Sequence, residues 1–155
     1  MRMPGLMTTL LALAPVPVLA QAASPVEVIN ADAARSEVAV QHLRGGVSVL
    51  AGSGGNIAVL ADPDGKFLVD AGIAVSKEKI ARALATLGAG GVKYVVNAHW
   101  HWDHAAGNVW LHDAGSQIMA SENTLKYLSA TRHRLPPELL STLAVVEALA
   151  SAAAS

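Results

Sequence analysis

Asn97-Ala98-His99-Trp100-His101-Trp102-Asp103-His104-Ala105-Ala106-Gly107-Asn108 is the stretch on which the reading of this chain turns. Residues 99–104 hold three of the six histidines and one carboxylate. Immediately before them, Val92-Lys93-Tyr94-Val95-Val96 is apolar and β-branched and reads as a buried strand. The donors therefore fall where a strand gives way to a loop, the place where α/β folds build sites. If residues 99–103 stay extended, His99, His101 and Asp103 project to one side and Trp100 and Trp102 to the other. His104 breaks that alternation and needs a turn. Donors this close cannot easily surround one tetrahedral ion, but they can supply parts of two neighbouring sites: His99 and His101 for one metal, Asp103 and His104 for a second. Imidazole and carboxylate suit zinc best, with iron and manganese as alternatives. Two metals about 3.5–4 Å apart can share a hydroxide and clamp the oxygens of a hydrolytic transition state. Such a cluster has no packing rationale.

Upstream, Lys66 to Val69 reads as a strand that ends at Asp70. The Asp70 carboxylate has two readings. It can orient a metal-bound histidine through the free ring N–H, or it can cap the loop by accepting backbone N–H groups. Asn56 to Ala61 reads as a further strand, and Asp62-Pro63-Asp64-Gly65 as the turn between the two. Before them, Val38 to Leu43 and Val47 to Leu50 form a hairpin around Gly45-Gly46. Gly52-Ser53-Gly54-Gly55 lacks the Lys-Ser/Thr of a phosphate-binding loop and reads as turn chemistry. Ser76 reads as a helix N-cap, followed by an apolar stripe at Ile80, Ala83, Leu84 and Leu87. Gly88 to Gly91 ends that helix. Strand, helix and strand then make a βαβ-like unit, so the sheet is expected to be mixed.

The string His99-Trp100-His101-Trp102-Asp103-His104, followed by Gly107-Asn108, resembles the signature of the metallo-β-lactamase-fold hydrolase superfamily. Phe67-Leu68-Val69-Asp70-Ala71-Gly72 is similar to that family's strand ending in an Asp-x-Gly turn, and Gly54 to Leu60 to the strand before it. The resemblance spans about residues 38–130. It implies an α/β fold, the N-terminal half of an αββα sandwich, with a mixed sheet and flanking helices. It implies that His99, His101, Asp103 and His104 are metal ligands, and that Asp103 is also catalytic by orienting the hydroxide. In the complete family fold two zinc ions activate a hydroxide that attacks an ester, thioester, lactam or phosphoester of a small-molecule substrate. Family members continue with a second half that supplies further His and Asp ligands, and none of these can be assigned here. The alternative reading is a non-catalytic metal-binding fragment, or a half-domain that needs a partner chain.

The remainder of the chain sets the context. Arg2, the apolar run from Leu6 to Leu19 and the small residues around Ala20 and Ala22 read as a secretory signal over residues 1–22. That run is too short and too broken by Pro15 and Pro17 for a stable membrane span, so a periplasmic or secreted protein is expected. Residues 23–36 carry little periodicity and read as a linker, and residues 37–135 as a partial metallo-β-lactamase-like domain. After the motif, a short helix is expected from Ala105 to Leu111, then a strand over Ser116 to Ala120. Ser121 should cap a helix running to about residue 130, with Leu125 and Leu128 on its apolar side. His112 reads as a surface residue, and His133 belongs to a basic patch with Arg132 and Arg134. Pro136-Pro137 breaks the chain before an alanine- and leucine-rich helical tail over 136–155. With no cysteine, stability must come from the core and any metal. A net charge of −1 and the lack of a basic run exclude nucleic acid as an expected partner. Half of a sandwich leaves apolar surface open, so self-association is expected.

Overall fold

The computed structural model describes residues 23–130, with the side chains of 128–130 left aside. The leader, the patch around His133, the Pro136-Pro137 break and the helical tail lie outside the described residues, as does the side chain of Leu128. The elements are α1 (Pro25–Arg35), β1 (Ala39–His42), β2 (Val47–Ala51), β3 (Ile57–Asp62), β4 (Gly65–Val69), α2 (Lys77–Thr86), β5 (Val92–Asn97), α3 (Trp102–Ala105), α4 (Asn108–Asp113), β6 (Gln117–Ala120) and α5 (Glu122–Ala130). The strands form one mixed sheet in sequence order. β1 to β4 run as an antiparallel meander. β5 joins β4, and β6 joins β5, in parallel. The parallel steps fall where helices intervene, because a parallel return needs a crossover.

Alternation along the strands sorts the sheet into two faces. One face, with Leu50, Ile57, Val59, Leu68, Val95 and Ile118, is buried beneath Ile80, Ala83 and Leu84 of α2 and Leu111 of α4. The stripe expected on α2 is the one that packs. The other face carries Leu60, Tyr94 and Met119, each between 40 and 45% exposed. Lys66 lies on the buried side at 4% exposure, and its ammonium donates to the Gly88 carbonyl at 2.6 Å and to the Gly90 carbonyl. A buried cation needs such acceptors, and this one ties β4 to the end of α2.

Three local expectations are corrected. Residues 25–35, read as part of a linker, form a helix. Ser24 Oγ accepts from the Glu27 backbone N–H, the Glu27 carboxylate accepts from the Ser24 N–H, and Pro25 sits in the first turn. At the other end the Lys79 ammonium donates to the carbonyls of Ala33, Ala34 and Ser36 at 2.6–3.0 Å. The helix is held by its ends, and Ala33 is its buried residue, so apolar periodicity could not reveal it. Ser76 makes no side-chain cap for α2; it lies buried in a 3-10 turn over Ala74–Ser76 whose backbone leads into the helix. Ser121 does cap α5, accepting from the Thr124 N–H at 3.2 Å. The single helix expected from Ala105 to Leu111 is divided into α3 and α4. The break falls where Gly107 passes so close to the 71–72 turn that a Cβ there would overlap the Ala71 carbonyl.

Candidate metal centre

The motif occupies the loop from the end of β5 to the start of α4. The chain stays extended only to His101, whose φ and ψ are −63° and 144°, and then turns directly into α3. The expected extension to Asp103 is therefore corrected. The helical turn follows from Trp102-Asp103-His104-Ala105, whose Ala105 N–H reaches back to the His101 carbonyl at 3.0 Å. The turn folds Asp103 and His104 back beside His99. The His99 and His104 rings lie 4.0 Å apart centre to centre, and those of His99 and His101 4.8 Å apart. Asp103 Oδ2 is 3.7 Å from His104 Nε2. His101 is exposed, whereas His99, Asp103 and His104 are half-buried.

Asp70 completes the cluster from the end of β4. It is 5% exposed and holds a left-handed backbone at φ 70°, a conformation that aspartate tolerates better than most residues. That bend aims its carboxylate under the loop. Oδ1 accepts the Ala98 N–H at 2.7 Å and Oδ2 meets His104 Nδ1 at 2.8 Å. The carboxylate thus fills both roles that the sequence left open, loop cap and imidazole partner. An ionised carboxylate can only accept, so this bond puts the His104 proton on Nδ1 and leaves the Nε2 lone pair for a metal.

Ligand atoms of Asp70, His99 and His104 lie within 4.8 Å of one another, which makes these three a candidate metal group among the described residues. His99 comes from one of the two expected pairs and His104 from the other, and their rings stand side by side. His101 and Asp103 flank that group through the ring and carboxylate contacts given above. Burial first, then the neighbouring His104 and His101 rings, lower the pKa of His99 below the usual imidazole value. The neutral ring favoured by that shift is the form that ligates a metal. Imidazole nitrogens with an adjacent carboxylate are a donor set that suits zinc, and the free Nε2 of His104 is open to such an ion.

The sequence reading missed Gly55. Its N–H donates to the Asp103 carbonyl at 3.3 Å, and a Cβ built there would lie 2.8 Å from the Asp103 carbonyl oxygen and from Nε2 and Cε1 of His104. Only glycine leaves the imidazole edge uncovered. The signal was the Gly54-Gly55 doublet, read as turn chemistry alone. Trp100 also differs from expectation. It does not turn away into apolar packing, but stacks on Tyr127 of α5 at 5.7 Å and lies 4.4 Å from the His101 ring. His112 is half-buried, with Nδ1 3.8 Å from the Asp113 carboxylate, and stands outside the cluster.

The sequence profile of the Metallo-beta-lactamase superfamily matches residues 50–137, more than half of the chain. The chain belongs to the metallo-β-lactamase superfamily. Solved metallo-β-lactamases share its fold. One from Cronobacter sakazakii (Enterobacter sakazakii), described by a HARLDQ motif, is 26% identical with a TM-score of 0.57, over 66% of this chain and 40% of that one. The Rm3 metallo-β-lactamase is 28% identical with a TM-score of 0.57, over 66% of this chain and 38% of that one. The subclass B3 metallo-β-lactamase MEM-A1, from a soil metagenome library, is 28% identical with a TM-score of 0.55, over 61% of this chain and 37% of that one. Comparison with curated proteins gave no significant match. The chain thus spans about two-fifths of the length of these metallo-β-lactamases, which fits one half of the superfamily's domain.

Proposed function

We propose that this chain carries the first wall of a zinc centre used to hydrolyse a small-molecule ester, thioester, lactam or phosphoester. The observation that carries the reading is the side-by-side placement of the His99 and His104 rings after β5, with Asp70 behind His104, in a chain of the metallo-β-lactamase superfamily. When bound, zinc supplies Lewis acidity and makes water acidic enough to serve as a nucleophile near neutral pH. His99 and His101 would hold one ion, and Asp103 and His104 a neighbouring one. Asp103, whose Oδ2 lies 3.7 Å from His104 Nε2, would also orient the attacking hydroxide. Asp70 keeps the His104 ring in the ligating tautomer and orientation. Iron or manganese are the other metals that this donor set accommodates.

A second reading rests on the length comparison: a metal-binding half-domain without turnover of its own, completed by another chain. The half-exposed sheet face with Leu60, Tyr94 and Met119 supports self-association on either reading. The basic, apolar and small-residue order of residues 1–22 supports export to the periplasm or beyond. Among the described residues no helix is long and apolar enough to cross a membrane.

The test is a zinc or cobalt titration of the purified chain, followed by an assay against β-lactam, thioester and phosphodiester substrates. Turnover that a chelator removes, and that His99→Ala abolishes, supports the hydrolase. Metal uptake without turnover supports the half-domain, and absence of metal uptake overturns both.

A further inference from the structure

The two ends of the metal loop are joined by one pair of side chains. β5 ends at Asn97 and α4 begins at Asn108, and residues 98–107 between them carry all the candidate metal-binding histidines. Asn97 Nδ2 donates to Asn108 Oδ1 at 3.1 Å, and Asn108 Nδ2 donates back to Asn97 Oδ1 at 2.6 Å. Asn97 is 3% and Asn108 0% exposed.

Such a pair is not needed for burial. Two apolar side chains of similar size would fill the same space at little or no loss of stability, because a buried hydrogen bond mostly offsets the desolvation of its own partners. What it adds is direction, since two carboxamides exchange both bonds in only one relative placement. Of the loop's other ties, three run to the turn after β4 (Ala98 N–H to Asp70 Oδ1, Ala71 N–H to the His104 carbonyl and Gly107 N–H to the Gly72 carbonyl) and one, Gly55 N–H to the Asp103 carbonyl, to the 52–55 turn. The amide pair instead runs from one end of the loop to the other and fixes its span.

We propose that Asn97 and Asn108 are positioning residues, a clamp that sets the loop span so that the His99 and His104 rings keep the mutual spacing from which they reach metal. This rests on the metal reading above, but part of its test does not. The variant is Asn97→Leu with Asn108→Leu, which removes both carboxamides together and leaves neither unpaired. Circular dichroism should show a retained fold. Cobalt affinity, read from the visible spectrum, should fall by at least about tenfold, as for other supports of metal ligands. In metal-free protein the amides of Ala98, His104 and Gly107 should exchange at least about tenfold faster, while those of Val59 and Leu68 in the sheet keep their protection. Unchanged cobalt affinity with unchanged loop exchange overturns the clamp. So does a uniform loss of protection across the sheet, which marks a general stabilising role. If the unaltered chain takes up no cobalt, the metal reading fails and the loop exchange alone decides the clamp. If the double variant does not fold, the unaltered chain decides it. Side-chain carboxamide protons of Asn97 and Asn108 that exchange far more slowly than those of exposed Asn123 support the clamp, and rates equal to those of Asn123 overturn it.

Discussion

Asp70 grips His104 and the loop that carries it at the same time: Oδ2 lies 2.8 Å from His104 Nδ1, and Oδ1 accepts the Ala98 N–H at 2.7 Å. Asp70→Asn tests this relationship with little change of shape. Asparagine tolerates the left-handed backbone at φ 70°, so the turn should survive. If its amide oxygen keeps the Ala98 N–H, its NH₂ faces His104 Nδ1 donor to donor. The imidazole proton then moves to Nε2, the nitrogen a metal needs. Zinc affinity should fall by about 10–100-fold with the fold intact. Calorimetric titration of zinc is the measurement, and an affinity equal to that of the unaltered chain would show that the orientation is not required.

Gly55→Ala should damage the site by contact. The added methyl would sit 2.8 Å from His104 Nε2 and from the Asp103 carbonyl oxygen, so either the 52–55 turn or α3 must move. Overpacking of this kind costs about 1–3 kcal/mol. Gly91→Ala is the control, since a Cβ there meets nothing within 4 Å. Urea denaturation of the two variants, with and without zinc, should show a lower midpoint for Gly55→Ala alone and a smaller stabilisation by zinc. Equal midpoints would mean that the turn yields at no cost.

Most of the architecture was legible because it rests on local alternation. β2 and the first half of β3 bury every second residue, and α2 buries the stripe that its sequence announces. The metal motif was legible because its residue types have no packing use. What escaped depends on contacts between segments distant in sequence. The choice of Asp70 between cap and imidazole partner needed the φ at the end of β4. The role of Gly55 needed the approach of α3 from nearly fifty residues away. The Asn97–Asn108 pairing needed the loop to close. The turn at Trp102 has a different cause: the residue types alternate through Asp103, but the backbone satisfies itself by a helical turn after His101.

Helix α1 was within reach, since Ser24-Pro25-Val26-Glu27 carries a capping-box spacing with proline in the first turn. Its stability should therefore hang on that end. Ser24→Ala removes the acceptor of the Glu27 N–H, bound at 3.2 Å, and should cost about 0.5–2 kcal/mol of helix stability. Helical ellipticity and exchange of the Glu27 and Val28 amides report it. Adding Glu27→Gln should cost less than it does alone, because the two side chains serve one reciprocal motif. Fully additive losses would show that the two caps act separately.

The last prediction concerns pH. Burial, then the His104 and His101 rings, hold the folded-state pKa of His99 below that of a free imidazole, while Asp70 and Asp103 pull the other way and lose. The unfolded chain therefore takes up its proton first, at about pH 6.5. Above that pH the ring is neutral in both states and makes no pH-dependent difference. As pH falls from about 6.5 toward the lower folded-state value, the unfolded state binds more protons and the folded state loses stability. Metal binding should weaken over the same window, since a protonated imidazole cannot ligate. Thermal midpoints of metal-free protein should decline as the buffer is taken from pH 7.5 to below 6, and the decline should be shallower in His99→Gln. Saturating zinc should delay it, because an occupied His99 resists protonation. A midpoint that rises on acidification, or a decline unchanged in His99→Gln, would mean that the ring is not held in its neutral form by its neighbours.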